Sequence, residues 1–180
     1  MDRLVSVSKK ADIFPEYRNT PVERLLEYNN MKRPYEDYSY AEILIAECMD
    51  YRENLHIPDK FAYIIRTAGA NLQFCEFGVS YAIAVAQINH IAIIGHDNCA
   101  MVNIYKRKDI FIEGLVSRAG WNKKAAEDHF NKYEKVFEIS SEVDFVLYET
   151  KLLRSKYPGI VIVPMMYLLE DNNIYLINEE

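Results

Sequence analysis

Short runs of apolar and β-branched residues recur along the chain, each bounded by polar or turn-forming residues. Runs of this length and composition are typical of β-strands. The first and third are almost continuously apolar, as expected for strands of a parallel sheet that is covered on both faces. The pattern predicts five strands, at residues 41–47, 61–69, 91–95, 159–169 and 174–178.

Two segments near these strands have the residue spacing of helices. Residues 21–31 begin with Pro21 after Thr20, a favourable first-turn residue and N-cap, and repeat apolar residues on one face. We therefore expect an amphipathic helix there. Residues 73–89 are rich in alanine and apolar nearly all round, which predicts a buried helix that joins two parallel strands.

The second half of the chain adds two more predicted helices and a hairpin. The helices fall within residues 121–137 and 140–157, and the second begins at Ser140 or Ser141 with acidic residues in its first turn. Residues 171–173, DNN, predict a hairpin turn between the last two strands. Together these elements predict a three-layer α/β/α fold with a mostly parallel central sheet that ends in an antiparallel hairpin.

Length and composition limit the organisation and the partners. A chain of 180 residues, half of them hydrophobic, is expected to form one domain, 1–180. The net charge is -6 and basic residues are scattered, with KRK at 106–108 the densest group, which argues against nucleic-acid and membrane partners. The sequence shows no export signal and no apolar stretch that could span a bilayer, so we expect a cytoplasmic protein.

Ligand-type side chains follow two of the predicted strands. CMDYR at 48–52 comes directly after the first strand, and GHDNC at 95–99 closes the third. The carboxyl ends of parallel strands are where open sheets place their ligand sites. If the two fragments meet, Cys48, His96 and Cys99 supply two thiolates and one imidazole, a donor set that suits tetrahedral Zn²⁺ and leaves one position open for catalysis.

The alternation within CMDYR predicts a role for the neighbouring charged residues. On an extended segment Cys48, Asp50 and Arg52 project to one face, so Asp50 and Arg52 should point to the same site as the ligand. Asp50 could orient a zinc-bound hydroxide or occupy the open position itself. Arg52 would hold the carboxylate ionised, and the pair would act as a gate.

Each fragment alone also has an ordinary structural explanation. A free Cys48 can fill a core, and His96 and Cys99 can pack as a buried pair. Two coincident fragments at two strand ends favour a metal site instead. The odd count of three cysteines argues against a disulfide framework. Cys75 lies on the apolar helix without a nearby ligand companion and is interpreted as a packing residue, and no role is assigned to His56, His90 and His129.

The order and spacing of these fragments resemble the β-class carbonic anhydrases. The zinc motif of that family is C-x-D-x-R followed by H-x-x-C, as in CMDYR and GHDNC. IIRTAGA at 64–70 is similar to the family's R-N-A-G segment, and the end of the chain is similar to its closing strand pair. The resemblance covers roughly residues 40–180.

The resemblance implies roles for individual residues and an assembly. Cys48, His96 and Cys99 would bind one Zn²⁺ per chain, Asp50 and Arg52 would form the catalytic dyad, and Gly69 and Ala70 would line the substrate pocket. The family forms obligate dimers, often paired into tetramers, so we expect a homodimer or tetramer. Residues 1–39 would form an N-terminal helical arm, whose helix at 21–31 would embrace the partner, and 40–180 the zinc-binding core.

Three positions depart from the family pattern. Tyr51 stands where the family has Ser or Ala, Thr67 where it has Asn, and Ala100 where it has Gly. None of them removes a ligand. Tyr51 is expected to face away from the zinc, and Thr67 changes the hydrogen bonding expected in the substrate pocket.

The expected function is the reversible hydration of carbon dioxide to bicarbonate and a proton, by zinc-bound hydroxide. Relatives with the same zinc motif include enzymes that hydrolyse carbonyl sulfide or carbon disulfide, and pocket width and access would decide between these linear substrates. The alternative from another class is a catalytically silent zinc-binding dimer with Asp50 permanently on the metal.

Overall fold

The computed structural model describes residues 3–179, and a six-stranded mixed sheet runs through the middle of this part of the chain. The order across the sheet is β1-β6-β5-β4-β2-β3. The pairs β5/β4, β4/β2 and β2/β3 are parallel, whereas β1/β6 and β6/β5 are antiparallel. The strands are β1 (Leu4–Val5), β2 (Ile43–Cys48), β3 (Ala62–Thr67), β4 (His90–His96), β5 (Val161–Leu168) and β6 (Asn173–Ile177).

All five predicted strands are present, with boundaries shifted by one or two residues at most ends. The predicted turn at 171–173 joins β5 to β6 as an antiparallel hairpin, and Asn172 takes a left-handed φ of 58° there. The two-residue strand β1 was not predicted, because two residues are too few to show a period.

The near-continuous apolar runs become the two central strands of the parallel part. Every residue of β2 is buried, as are six of the seven residues of β4. One core cluster packs the α1 side of the sheet, around Ile45 and Ile94, and another packs the opposite side, around Leu44 and Ile93. The predicted three-layer α/β/α fold is therefore confirmed.

The part of the chain that the structure describes contains five α-helices and four short 3₁₀ turns. The helices are α1 (Pro21–Met31), α2 (Glu76–Ala84), α3 (Lys108–Ala119), α4 (Lys123–Phe137) and α5 (Glu142–Lys156). The predictions for α1, α4 and α5 are confirmed. The hydroxyl of Thr20 accepts a hydrogen bond from the Val22 N–H at 3.1 Å, and Ser141 caps α5 by accepting from the Asp144 N–H.

The first helix packs inside the chain's own core. Val22, Leu25 and Leu26 are fully buried in the same cluster as the sheet. The apolar face of α1 is thus covered by the strands it crosses, and its predicted contact with a partner chain stays a prediction.

The prediction for residues 73–89 was wrong in extent and in burial. Helix α2 covers only Glu76–Ala84, and within this chain it leaves Phe77 82% and Tyr81 52% exposed. The helix carries apolar residues on both sides. One side packs on the sheet through Val79 and Ala82, and the other side faces outward. An apolar surface of this kind is typical of an interface.

Helix α3 was not predicted from the sequence. Its apolar residues do not form one buried stripe: Ile112 is buried, whereas Ile110 is 72% exposed, and Gly114 lies in its middle. It packs mainly against α4. No helix within residues 3–179 is both long enough and apolar enough to cross a membrane.

The close packing of α5 on β4 depends on Gly95. A Cβ atom at this position would lie 2.6 Å from Val146 Cγ2 and 3.0 Å from Met166 Sδ. Gly95→Ala should therefore lower the free energy of unfolding of the metal-free protein by about 1–3 kcal/mol, measured by urea denaturation. The matched control is Gly114→Ala inside α3, where a Cβ would meet no atom within 4 Å and should stabilise the helix by roughly 0.5–1 kcal/mol. Equal stability of the two variants would contradict this account of the packing.

Candidate metal centre

The carboxyl ends of neighbouring strands meet at one edge of the sheet. β2 ends at Cys48 and β4, hydrogen-bonded beside it, ends at His96. Cys99 follows in the turn after β4, where Asn98 adopts a left-handed φ of 57°. Because adjacent parallel strands end side by side, residues from distant parts of the sequence lie together there.

The three predicted ligands form one buried group. The donor atoms of Cys48, His96 and Cys99 all lie within 4.8 Å of one another. Each residue is less than 8% exposed, and the cysteines form no disulfide. Two sulfur donors and one nitrogen donor, close enough to share one ion, could hold a soft divalent metal.

The imidazole of His96 is arranged as a metal ligand would be. Its Nδ1 lies 2.8 Å from the carbonyl oxygen of Asp97, while Nε2 is buried without a hydrogen-bond partner among the described residues. A buried polar atom without a partner costs free energy, so its presence beside two thiols fits a site that a metal completes.

Hydrogen bonds hold Cys48 in its ionised form. The Cys99 thiol donates toward Cys48, and the Gly69 N–H donates to Cys48 Sγ at 3.3 Å. The bond from Cys99 lowers the pKa of Cys48, and the same pairing raises the pKa of Cys99. The pair therefore favours one negative charge at the site, which suits a cation.

Asp50 and Arg52 form a bidentate ion pair beside the ligands. Arg52 Nη2 lies 2.7 Å from Asp50 Oδ2 and Nε lies 2.9 Å from Oδ1, and Nη2 also donates to the Asn98 carbonyl. These bonds hold the pKa of Asp50 well below its usual range. Asp50 Oδ2 is 4.0 Å from His96 Nε2, so an ionised carboxylate borders the metal position.

The reason given for this proximity from the sequence was wrong. β2 ends at Cys48, so the residues after it do not alternate along a strand. Residues 50–53 instead form a turn, closed by the Glu53 N–H that donates to the Asp50 carbonyl at 3.2 Å, in which Asp50 Oδ1 accepts the Arg52 N–H at 3.0 Å. The same turn directs Tyr51 into solvent with 90% of its surface exposed, away from the ligands as expected.

The predicted pocket residues lie after β3, the neighbour of β2. Gly69, with a φ of 66°, borders a cavity of about 10 Å³ together with His96 and Cys99. Ala70 is fully buried and does not border that cavity. Thr67 Oγ1 is buried without a hydrogen-bond partner among the described residues.

A larger apolar cavity adjoins the ligand-bearing loops. It has a volume of about 550 Å³, and its lining includes Met49, which follows Cys48, and Met101, which lies two residues after Cys99. Its outer wall comes from α3 and α4, with the side chains of Phe111, Phe130, Tyr133 and Phe137. A wall of this composition suits small neutral molecules better than ions.

Arg66 on β3 organises the turn after Cys48, a role that the sequence did not reveal. Its Nε donates to the Cys48 carbonyl at 3.0 Å, and its Nη2 donates to the carbonyls of Asp50 at 3.1 Å and Glu53 at 2.7 Å. One guanidinium therefore fixes three peptides of the segment that carries Asp50. The only signal in the sequence is its place within IIRTAGA.

Two buried carboxyl groups complete this support. Glu53 Oε2 accepts the Cys48 N–H at 3.1 Å, and Glu47 Oε1 lies 3.1 Å from Arg66 Nε. Burial raises the pKa of Glu53 to about 8 and that of Glu47 to about 7. Neither carboxyl could be assigned from sequence, since an acidic residue near a strand end is usually solvated.

Comparison with solved structures identifies this architecture. A β-carbonic anhydrase, isoform I, from Trichomonas vaginalis matches with a TM-score of 0.64 over 83% of this chain and 91% of that chain, at 16% identity. A carbonic anhydrase from Glaciozyma antarctica matches with a TM-score of 0.59 over 76% of this chain and 81% of that chain, at 21% identity. The fold is that of the β-carbonic anhydrases.

The β-carbonic anhydrase fold is also found in an enzyme named for a different substrate. The apo form of a carbon disulfide hydrolase matches with a TM-score of 0.58 over 93% of each chain, at 19% identity. No protein-family model and no curated protein matches this sequence. These identities establish the fold alone.

The donor set predicts which side chains metal binding requires. We expect about one metal ion per chain in the dialysed protein, and Cys48→Ala, His96→Ala or Cys99→Ala should each leave less than about a fifth of it, because three protein donors are the minimum for such a site. The measurement is metal content by mass spectrometry. Cys75→Ala is the matched control, since Cys75 is free but lies outside the group. Metal retained in all three ligand variants would rule the site out.

Proposed function

We propose that the protein is a zinc enzyme that interconverts carbon dioxide with bicarbonate and a proton. The observation that supports this most is the ionised Asp50, paired with Arg52, beside a buried group of two cysteines and one histidine. A site that served only to stabilise the fold would need no ionised carboxylate at its edge.

The residues of the site fit zinc. Two sulfur donors and one imidazole nitrogen match the ligands that zinc takes in catalytic sites with one open position. Zinc held there would supply a bound water that ionises near neutral pH and attacks an electrophilic carbon.

Asp50 and Arg52 would orient the reactants. The carboxylate of Asp50 can accept a hydrogen bond from the attacking water, which aims its lone pair at the carbon of carbon dioxide. Arg52 keeps that carboxylate ionised and fixed through its two bonds. The turn that carries both residues is held by Arg66, so the pair is set before substrate arrives.

Carbon disulfide or carbonyl sulfide is the second candidate substrate. The same attack on a linear, electrophilic carbon serves all three molecules. Two observations support this candidate: the structural match to a carbon disulfide hydrolase, and the apolar cavity beside Met49 and Met101. An apolar wall favours a more hydrophobic, sulfur-containing substrate such as carbon disulfide.

We further propose that the chain works as a homodimer or larger assembly. β3 is an edge of the sheet, with Tyr63 and Ile64 nearly half exposed. The exposed side of α2, with Phe77 and Tyr81, adjoins this edge, because Gly78 of α2 packs on Ile65 of β3. Exposed apolar side chains beside an open strand edge suit contact with a second copy of the chain.

Activity is tested by stopped-flow carbon dioxide hydration from pH 6.5 to 9 on protein of known zinc content. We expect activity that depends on zinc and rises with pH, and Asp50→Ala should lower kcat/KM by about 10²-fold or more with zinc retained. Asp59→Ala, in an exposed turn, is the control and should leave the rate unchanged. Full zinc content without hydration at any of these pH values would overturn the proposal. Sulfide release from carbon disulfide would then support the second substrate.

Assembly is tested by sedimentation. The wild type should sediment as a dimer or larger, and the double substitution Phe77→Ser and Tyr81→Ser should raise the dimer dissociation constant about tenfold or more, because it removes two aromatic side chains from the proposed interface. Ile110→Ser on α3, also an exposed apolar side chain, is the matched control and should change nothing. A monomeric wild type would contradict the proposed assembly.

A further inference from the structure

Asp97, which directly follows the ligand His96, attaches the ligand loop to the neighbouring strand β5. Its carboxylate oxygen Oδ1 accepts the Leu169 N–H at 2.7 Å, just beyond the end of β5. Its own N–H donates to the Tyr167 carbonyl at 3.4 Å. The hydrogen bond to the Asp97 side chain is therefore the shorter of the two, and the backbone hydrogen bond is long.

The same residue determines which nitrogen of the imidazole carries the proton. His96 Nδ1 lies 2.8 Å from the Asp97 carbonyl oxygen. A carbonyl oxygen only accepts, so the proton of a neutral imidazole must be on Nδ1. Nε2 is then left with a free lone pair, and it is this atom that is buried without a partner among residues 3–179.

The position of Asp97 explains why a side chain is needed. The chain leaves the sheet here, since Asn98 takes a left-handed φ of 57° to bring Cys99 back toward Cys48. The β4/β5 ladder ends with His96 opposite Tyr167. Beyond that point the Leu169 N–H donates to the carboxylate of Asp97, where a continued ladder would offer a backbone carbonyl.

We propose that Asp97 is a positioning residue of the metal centre. Its carboxylate anchors the peptide whose carbonyl holds the Nδ1–H of His96, and this keeps Nε2 directed at the metal position. The inference rests on the metal-binding part of the proposed function. It concerns the hydrogen bond that Asp97 accepts, and it predicts that an uncharged acceptor of the same shape will serve.

The test compares Asp97→Ala with Asp97→Asn, which retains an oxygen in the Oδ1 position. The first measurement is the ring-nitrogen NMR spectrum of histidine-labelled, metal-free protein, with His96→Ala used to assign the signal. The second is the zinc dissociation constant from competition with a chelator. Asp171→Ala is the matched control, because Asp171 Oδ1 accepts the Asn173 N–H at 2.9 Å in the adjoining hairpin without touching His96.

We expect wild type, Asp97→Asn and Asp171→Ala to show His96 with its proton on Nδ1, and Asp97→Ala to show a mixture of both tautomers. Zinc binding should weaken about 10–100-fold in Asp97→Ala and stay within about threefold of wild type in the other two variants. Equal weakening in Asp97→Ala and Asp171→Ala would overturn the inference, as would an Asp97→Asn variant as weak as Asp97→Ala.

The inference and the metal centre can fail separately. A wild-type protein with the His96 proton on Nε2 in the metal-free state would overturn the role of Asp97 without any variant, whatever the zinc affinity. A wild type that binds no zinc would instead overturn the metal centre. The tautomer ratio in the metal-free variants would still decide whether Asp97 positions the ring.

Discussion

The parallel pairing of β2 with β4 is the constraint on which the rest of the site depends. It places the last residues of the two strands, Cys48 and His96, at one edge of the sheet. A slip of one residue would turn every side chain of a strand to the opposite face, and the separately packed core clusters on the two faces of β2 and β4 make such a slip costly. The core that stabilises the sheet therefore also determines the donor geometry.

At this edge, backbone N–H and C=O groups that have no partner in the sheet form hydrogen bonds with the side chains of Arg66, Glu53 and Asp97. Arg66 binds three carbonyls of the turn after β2, and Glu53 binds the Cys48 N–H. Asp97 does the same for the loop after β4. Buried peptide groups need partners, and such hydrogen bonds let loops without regular structure hold the candidate ligands in place.

Much of the fold was predictable because its strands are short apolar runs and its caps are local. Thr20 and Ser141 are N-cap residues that mark the start of two helices, and the two ligand fragments each follow a strand. The predictions that failed concern features that depend on contacts between distant parts of the chain. The sequence of α2 does not show which side of the helix packs on the sheet. Strand alternation did not predict the turn that positions Asp50. Arg66 and Glu53 are ordinary surface residue types, and only the fold shows that their side chains bind backbone groups of Cys48.

The group of Glu47, Glu53 and Arg66 has a consequence for how the sequence can change over evolution. Both carboxyls are less than 4% exposed, and one oxygen of each has no partner within residues 3–179. The Arg66 guanidinium pairs with the Glu47 carboxyl and donates to the backbone carbonyl of Glu53. Removing Arg66 leaves the buried Glu47 without its ion-pair partner, and removing Glu53 leaves the Cys48 N–H without its acceptor, whereas a joint replacement need do neither. The three positions should therefore covary as a unit among sequences that share this fold, even though they are separated by up to 19 residues.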